Sequence, residues 1–249
     1  MRLTVLGSAA SYPDAGRACA GHLLSRDGTT VLLDCGNGVI SNLGRLMDPT
    51  HLAAVFITHG HVDHFADVYA LQAALRYAPD GPAAPLPLYV PPGVFDLISS
   101  ALTEHGAREL TEAFEVHDLV EGTPIGVGPI TVTPRSVDHV PPTFALVAES
   151  GGARLCYTSD TRPGAAAEAA AAGAGVLLAD ATLPPQYAGR APHMTAAEAG
   201  ALARSARAHT LVLTHLWPTV DRIAAVEQAR EVFGGRVMVA EEMDSHEVT

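Results

Sequence analysis

Residues 53–64 read AAVFITHGHVDH, a short apolar run followed at once by histidines and an aspartate. The apolar half, Ala53 to Ile57, is short and is typical of a buried strand. The polar half places three histidines and one aspartate within six positions, on a turn that contains Gly60. Imidazole and carboxylate groups are the ligands that divalent metals such as Zn²⁺ accept. The sequence therefore predicts a metal site at the end of a buried strand.

The spacing within this motif indicates two metal ions rather than one. His59 and His61 are two positions apart, so both can face one metal from an extended segment. Asp63 and His64 follow where the turn enters a predicted helix, and they can reach a second metal. An alternative is that the cluster decorates the surface and binds nothing, but histidine is scarce and its position at a strand end favours a site.

Two metals need about six ligands, and the rest of the chain offers further candidates, each after an apolar run that predicts a strand. These residues are His139, Asp160 and His215. Taken singly, each could be a hydrogen-bonded turn residue. Taken together with the first motif, they predict a complete two-metal site.

In this order the motifs resemble those of the metallo-β-lactamase superfamily, and the likeness covers nearly the whole chain. The matching segments are His59-Gly60-His61-Val62-Asp63-His64, Asp138-His139, Ser159-Asp160-Thr161 and Thr214-His215, together with Leu6-Gly7-Ser8 and Leu33-Asp34-Cys35-Gly36. The resemblance implies an α/β (α+β) protein with a four-layer αββα sandwich, and we expect one domain over residues 1–249.

The resemblance also implies a distribution of ligands between two divalent cations. It assigns His59, His61 and His139 to the first metal and Asp63, His64 and His215 to the second, with Asp160 bridging. Zn²⁺ suits these ligands best, and Mn²⁺ or Fe²⁺ also occupy such sites. Flavodiiron members usually carry a carboxylate at the position of His61, so the redox branch is not favoured.

A further segment, Pro192-His193-Met194-Thr195, resembles the His-x-Thr segment of the ribonuclease Z branch of phosphodiesterases, although Pro192 stands where that branch commonly has Gly. His193 precedes a predicted helix start, where an anion is favoured. The resemblance places the carboxylate of Asp180 behind His193, which would fix its tautomer and make it a usable acid. The alternative is that His193 merely flanks the helix. We predict three catalytic residues: His193, Asp180 and Asp63, of which Asp63 is also a metal ligand.

Ribonuclease Z itself fits poorly, because its tRNA-binding arm is inserted between the third histidine motif and the bridging aspartate. Here these residues, His139 and Asp160, are only 21 positions apart. We therefore expect a phosphodiesterase that acts on a small phosphodiester such as a cyclic nucleotide, with a metal-bridging hydroxide as nucleophile. One alternative is a carbonyl-ester hydrolase acting on a lactone, a thioester or a specialised metabolite. Another is a metal-dependent binding protein without catalysis.

The net charge and the apolar content of the chain limit the kinds of molecule that it is expected to bind. The 249 residues carry a formal net charge of −12, and all 15 basic residues are arginines. Such a chain does not favour a long nucleic acid, whereas a small anionic substrate can still be drawn to a metal site. The chain offers no apolar run of membrane-spanning length and no evident export signal, so we expect a soluble, cytoplasmic protein. The resembling families make a homodimer an option.

Several local predictions complete the interpretation. Three scattered cysteines are expected to be buried free thiols: Cys19, Cys35 and Cys156. One helix is predicted over residues 93–105, and another should begin at a capping box, Thr195 to Glu198. The remaining histidines are expected at the surface or in turns: His22, His51, His105, His117, His209 and His246. Tyr187 and Trp217 could contact substrate or simply pack.

Overall fold

The computed structural model describes residues 1–140 and 142–249. Its strands, numbered in chain order, are β1 (Arg2–Gly7), β2 (Gly21–Arg26), β3 (Thr29–Leu33), β4 (Ala54–Phe56), β5 (Leu86–Val90), β6 (Phe114–Asp118), β7 (Ile125–Val127), β8 (Ile130–Ser136), β9 (Phe144–Ser150), β10 (Ala153–Tyr157), β11 (Val176–Asp180), β12 (Thr210–Thr214), β13 (Arg236–Val239) and β14 (Ser245–Glu247). Its helices are α1 (Val39–Leu43), α2 (Val62–Phe65), α3 (Val68–Arg76), α4 (Val94–Ser100), α5 (Glu104–Ala113), α6 (Ala165–Ala171), α7 (Ala196–Ser205) and α8 (Arg222–Phe233).

The described strands form two seven-stranded sheets. The first has the order β14-β1-β2-β3-β4-β5-β6, and the second has the order β13-β12-β11-β10-β9-β8-β7. Strands β3 to β6 run parallel to one another, as do β10 to β13. Because parallel strands end at the same edge of a sheet, the residues that follow them are brought together.

Three hydrophobic clusters explain the layering. One lies between the sheets and joins residues such as Leu24 of β2 to residues such as Leu155 of β10. A second packs α1, α3, α4 and α5 on the outer face of the first sheet. A third, rich in alanine, packs α6, α7 and α8 on the outer face of the second sheet. Each sheet is therefore covered on both faces, which gives the expected αββα order.

One predicted helix was wrong, and three strands were not predicted. The single helix expected over residues 93–105 is two helices, because the chain breaks after Ser100 and Thr103 caps α5 through the backbone N–H of Gly106. Strand β9 was not predicted, although the run Phe144 to Ala148 is apolar, and neither were the short strands β7 and β14. The capping box at the start of α7 is confirmed, with Thr195 and Glu198 bonding reciprocally.

The prediction for His22 was also wrong. Its side chain is fully buried in β2, and neither ring nitrogen has a hydrogen-bond partner among the residues that the structure describes. Residues alternate across a strand, so His22 shares the inward face with Leu24 and packs edge-on against the ring of Tyr157, at a centroid distance of 5.0 Å. Burial lowers the pKa of His22 to about 3, so the imidazole is neutral.

The expectation for the cysteines is confirmed, since all three are buried and free. In the described ranges, no helix combines the length and the apolar character needed to cross a membrane.

Candidate metal centre

The predicted ligands follow strands of both sheets and meet at one edge of the sandwich. His59, His61, Asp63 and His64 follow β4 of the first sheet, whereas His139, Asp160 and His215 follow β8, β10 and β12 of the second sheet. All seven predicted ligands fall into groups whose donor atoms lie within 4.8 Å of one another.

Sharp turns at the strand ends direct these residues toward the cluster. Asp34 after β3, Ser159 after β10 and His215 after β12 all have left-handed backbones, with φ of 58°, 54° and 53°. Such a conformation is uncommon for residues other than glycine and is found where the surrounding structure enforces it, often at functional sites. The backbone at this edge is therefore held in position by its surroundings.

The first group joins three imidazoles and a carboxylate. His61 Nδ1 lies 3.0 Å from His59 Nε2 and 3.2 Å from His139 Nε2. The Oδ2 atom of Asp160 lies 3.5 Å from His59 Nε2 and 3.7 Å from His139 Nε2. His61 is the least buried member of the group. Four donor atoms thus converge on one small volume.

The second group lies on the other side of the same carboxylate. His215 Nε2 is 3.2 Å from His64 Nε2 and 3.1 Å from Asp63 Oδ2. The Oδ2 atom of Asp160 is 3.4 Å from His64 Nε2, so this oxygen is about equally far from donors of both groups. The geometry is that of a carboxylate between two ligand sets.

These distances fit metal ions. Ligand atoms about 2.0–2.1 Å from a tetrahedral Zn²⁺ lie roughly 3.3 Å apart, which is close to the separations found here. Burial lowers the pKa of His59, His61 and His139, and a neutral imidazole is the form that binds a metal. Burial alone would raise the pKa of Asp160, but the nearby imidazoles, His215 and His64 foremost, lower it well below its usual value.

An orphaned oxygen supports the same conclusion. Oδ1 of Asp160 is buried and makes no hydrogen bond among the described residues; His215 Nδ1 lies 3.3 Å away but pairs with the hydroxyl of Thr182. Leaving a buried carboxylate oxygen unpaired is costly, and a bound cation would remove that cost. The clustered histidines and aspartates suit a site for two metals.

A second carboxylate, that of Asp34, supports the second ligand group from behind. The side chain is fully buried, and its Oδ2 lies 2.8 Å from His64 Nδ1. The same oxygen accepts hydrogen bonds from the hydroxyls of Tyr157 (2.8 Å) and Thr58 (2.9 Å), and Oδ1 accepts the backbone N–H of Thr58 (2.7 Å). A carboxylate that accepts Nδ1–H leaves Nε2 of the same ring free to bind a metal.

The other imidazoles have comparable partners. His59 Nδ1 lies 3.0 Å from the hydroxyl of Thr58, and His139 Nδ1 donates to the backbone oxygen of Pro192 at 3.0 Å. His215 Nδ1 lies 2.8 Å from the hydroxyl of Thr182. These contacts orient each ring with one nitrogen toward the cluster.

His193 and Asp180, predicted as a pair, are in direct contact. His193 Nδ1 lies 3.0 Å from Asp180 Oδ2, and Asp180 is fully buried at the end of β11. Asp180 also accepts the backbone N–H groups of Thr161 and Thr182 and the Thr182 hydroxyl. Burial by itself would lower the pKa of His193, but the hydrogen bond and the charge of Asp180 raise it to about 9. His193 is therefore protonated at neutral pH when no metal is bound.

His193 lies beside the metal cluster. Its ring centroid is 4.8 Å from that of His139 and 5.7 Å from that of His215. A donor atom of His193 also groups with Asp160 and His215 within the ligand distance. The ring can therefore act on a molecule held at the cluster, or contribute a further ligand.

Three supporting residues had no assigned role in the sequence analysis: Asp34, Thr182 and Tyr157. Asp34 had a signal, because Asp34-Cys35-Gly36 ends a strand at the same edge as the histidine motif. Thr182 follows Asp180 by two positions, and no pattern distinguishes it. Tyr187 and Trp217, which were expected either to contact substrate or to pack, lie edge-to-face with their ring centroids 6.3 Å apart.

Comparison with known proteins gives one family. A family model described as "Beta-lactamase superfamily domain" matches residues 29–216. An uncharacterised protein of Mycobacterium tuberculosis, strain H37Rv, is 31% identical over 247 residues, which cover 95% of this chain and 88% of that protein. Ribonuclease Z of Mycobacterium marinum is 30% identical over 279 residues, which cover 100% of this chain and 99% of that enzyme.

A solved structure shows the same architecture. The metallo-beta-lactamase fold protein YhfI from Bacillus subtilis is similar to this chain with a TM-score of 0.89 and 26% identity, over 98% of both chains. Because a ribonuclease matches along its whole length, the comparisons do not support the expectation that long nucleic acids are excluded.

Proposed function

The chain belongs to the metallo-β-lactamase superfamily, in its ribonuclease Z-like branch of metal-dependent hydrolases, and from this premise we propose that it is a two-metal phosphodiesterase acting on a small phosphodiester such as a cyclic nucleotide. The observation that carries the proposal is the contact between His193 and Asp180 beside the metal cluster. A carbonyl ester also has a leaving oxygen, so an acid by itself does not separate the two reactions. Phosphorus is favoured because the His193 segment resembles the His-x-Thr segment of the ribonuclease Z branch, and a ribonuclease Z matches the whole chain.

In this proposal His59, His61 and His139 would hold the first metal, and Asp63, His64 and His215 would hold the second. The carboxylate of Asp160 lies between the two ligand sets and would serve both. Two cations bound there would supply an activated water and would offset negative charge on the phosphoryl oxygens. The nitrogen-rich ligand set favours Zn²⁺, and analysis of the bound metal would distinguish it from Mn²⁺ or Fe²⁺.

The chain's own residues handle the proton and the phosphate. Asp180 binds Nδ1 of His193, which leaves Nε2 of that ring free to bind a phosphoryl oxygen or to protonate the leaving alkoxide. Asp63 is the more exposed of the two ligand carboxylates, with 11% of its side chain accessible against 2% for Asp160. Asp63 is therefore the better placed of the two to take a proton from the attacking water.

The preference for a small substrate rests on two observations. Between His139 and Asp160 the described residues form only the hairpin of β9 and β10, with no inserted arm. The net charge of −12 also opposes the repeated phosphates of a long nucleic acid. A short phosphodiester does not meet this repulsion to the same extent.

The test is hydrolysis of bis-p-nitrophenyl phosphate and 3′,5′-cyclic AMP by protein of measured metal content. We expect Asp160→Ala to abolish turnover, and His193→Ala to lower the rate about 10²–10⁴-fold while both metals stay bound. Loss of a metal from His193→Ala would make His193 a ligand instead of an acid. A panel of lactones and thioesters is run alongside, and turnover of these alone would refute the phosphodiesterase proposal.

A further inference from the structure

A cavity of about 290 Å³ opens beside the first ligand group. Its described lining includes His59 and His61 of the metal motif at one end, and Val94, Leu97, Val140 and Pro142 on the other side. The cavity is thus continuous with the proposed metal site and lies on the side of its least buried ligand, His61.

The wall that faces the cavity is aliphatic. Leu97 and Val140 are 49% and 52% exposed, which is high for apolar side chains beside a polar cluster. Gly60 lies against this wall, since a Cβ added there would be 3.1 Å from Leu97 Cδ2 and 3.5 Å from Val94 Cγ2. No described lining residue carries a charged side chain apart from the histidines of the metal motif. Exposed apolar surface in a concave site indicates an apolar ligand group.

Because the volume is at the lower end of small-molecule sites, the cavity suits one ring system rather than a chain of nucleotides. The geometry points to the base of a nucleotide phosphodiester as its occupant, held between the His61 side and the Leu97 wall while the phosphate lies at the metals. This inference rests on the proposed function and adds to it the place where the base of the substrate binds. Aliphatic walls contact the faces of a base and read none of its edges, so adenine and guanine should bind about equally well.

The test measures how much the base contributes to binding, separately from turnover. Calorimetry on the metal-loaded protein gives the Kd of adenosine 5′-monophosphate and of ribose 5-phosphate, which carries the same phosphate without a base. We expect the base to tighten binding at least about 10-fold, because a single methylene in an apolar pocket already contributes about 10–200-fold. Leu97→Trp fills the cavity, so this ratio should fall to about threefold or less while the Kd of ribose 5-phosphate is unchanged.

Leu46→Trp is the matched control, because Leu46 is a similarly exposed leucine that does not line the cavity. It should leave both Kd values as in the unaltered protein. A base contribution near unity in the unaltered protein would overturn the inference, and so would an equal loss for both ligands in Leu97→Trp. Turnover of 3′,5′-cyclic AMP decides the proposed function by itself, so the two can fail separately.

Discussion

Asp34 offers the sharpest test of how the second metal is held. Replacing it by asparagine keeps the size of the side chain but changes one acceptor oxygen into an NH₂ donor. If the NH₂ takes the place of Oδ2, it faces Nδ1 of His64, which must then become an acceptor and move its proton to Nε2. If it takes the place of Oδ1, it faces the backbone N–H of Thr58. Neither orientation satisfies every buried group.

The size of the effect follows from that choice. An unsatisfied buried donor costs about 1–3 kcal/mol, so the second orientation destabilises the fold. The first orientation puts a hydrogen on the nitrogen that must bind the metal. Loss of such an outer partner typically lowers metal affinity about 10–100-fold, which is roughly 1.4–2.7 kcal/mol. We expect Asp34→Asn to retain the first metal and to bind the second one about 10–100-fold more weakly.

Titration against a competing chelator measures the two affinities separately. Asp67→Asn is a suitable control, because Asp67 accepts the backbone N–H of Ile40 at 2.9 Å and has no hydrogen bond to a predicted ligand. This control should bind both metals as the unaltered protein does. If Asp34→Asn also keeps both affinities, Asp34 does not orient His64, and the reasoning from its hydrogen bonds is refuted.

Two further predictions concern groups behind the site. Burial lowers the pKa of His22 to about 3, so the folded state resists protonation of this ring. The contribution of His22 to the free energy of unfolding is therefore constant above pH 6.5 and falls between pH 6.5 and pH 3, by about 2 kcal/mol at pH 5. Urea unfolding at pH 8 and pH 5 should show no such decrease in the free energy of unfolding for His22→Leu, whereas His105→Leu, a change at an exposed histidine, should keep it. A decrease that persists in His22→Leu would show that another group causes it. Thr182 contacts both Asp180 and His215, so Thr182→Val should weaken the second metal about 10–100-fold in the chelator titration. Thr182→Ser should restore the affinity, and equal weakening in both variants would count against the hydroxyl.

The positions of the ligands could be predicted from sequence because the signal is local. Apolar runs end at Ile57, Thr158 and Thr214, and the polar residues that follow each run are metal-ligand types. Parallel strands then bring those ends to one edge without further information. His193 could be predicted because its segment resembles the His-x-Thr segment of the ribonuclease Z branch, and its position before the capping box of α7 agrees with that prediction.

The supporting groups could not be predicted because their partners are distant along the chain. Tyr157 and Asp34 are 123 positions apart, and only the packing of one sheet on the other brings the hydroxyl to the carboxylate. His22 shows the same limit. The alternation of side chains along β2 predicts that His22 and Leu24 share one face of the sheet. The burial of that face depends on Tyr157 from the other sheet, which is distant in sequence. By contrast, the break between α4 and α5 could have been predicted, because Thr103 is a common N-cap residue and marks the start of a new helix.

The two halves of the site are built in parallel ways. A fully buried carboxylate at a strand end supports histidines in each sheet: Asp34 holds His64, and Asp180 holds His193 directly and reaches His215 through Thr182. Each ligand set draws residues from both sheets, so the geometry of both proposed metal sites depends on how the sheets pack. The hydroxyl of Tyr157 crosses that interface to the carboxylate of Asp34. The contact therefore joins the packing of the core to the geometry of the reaction.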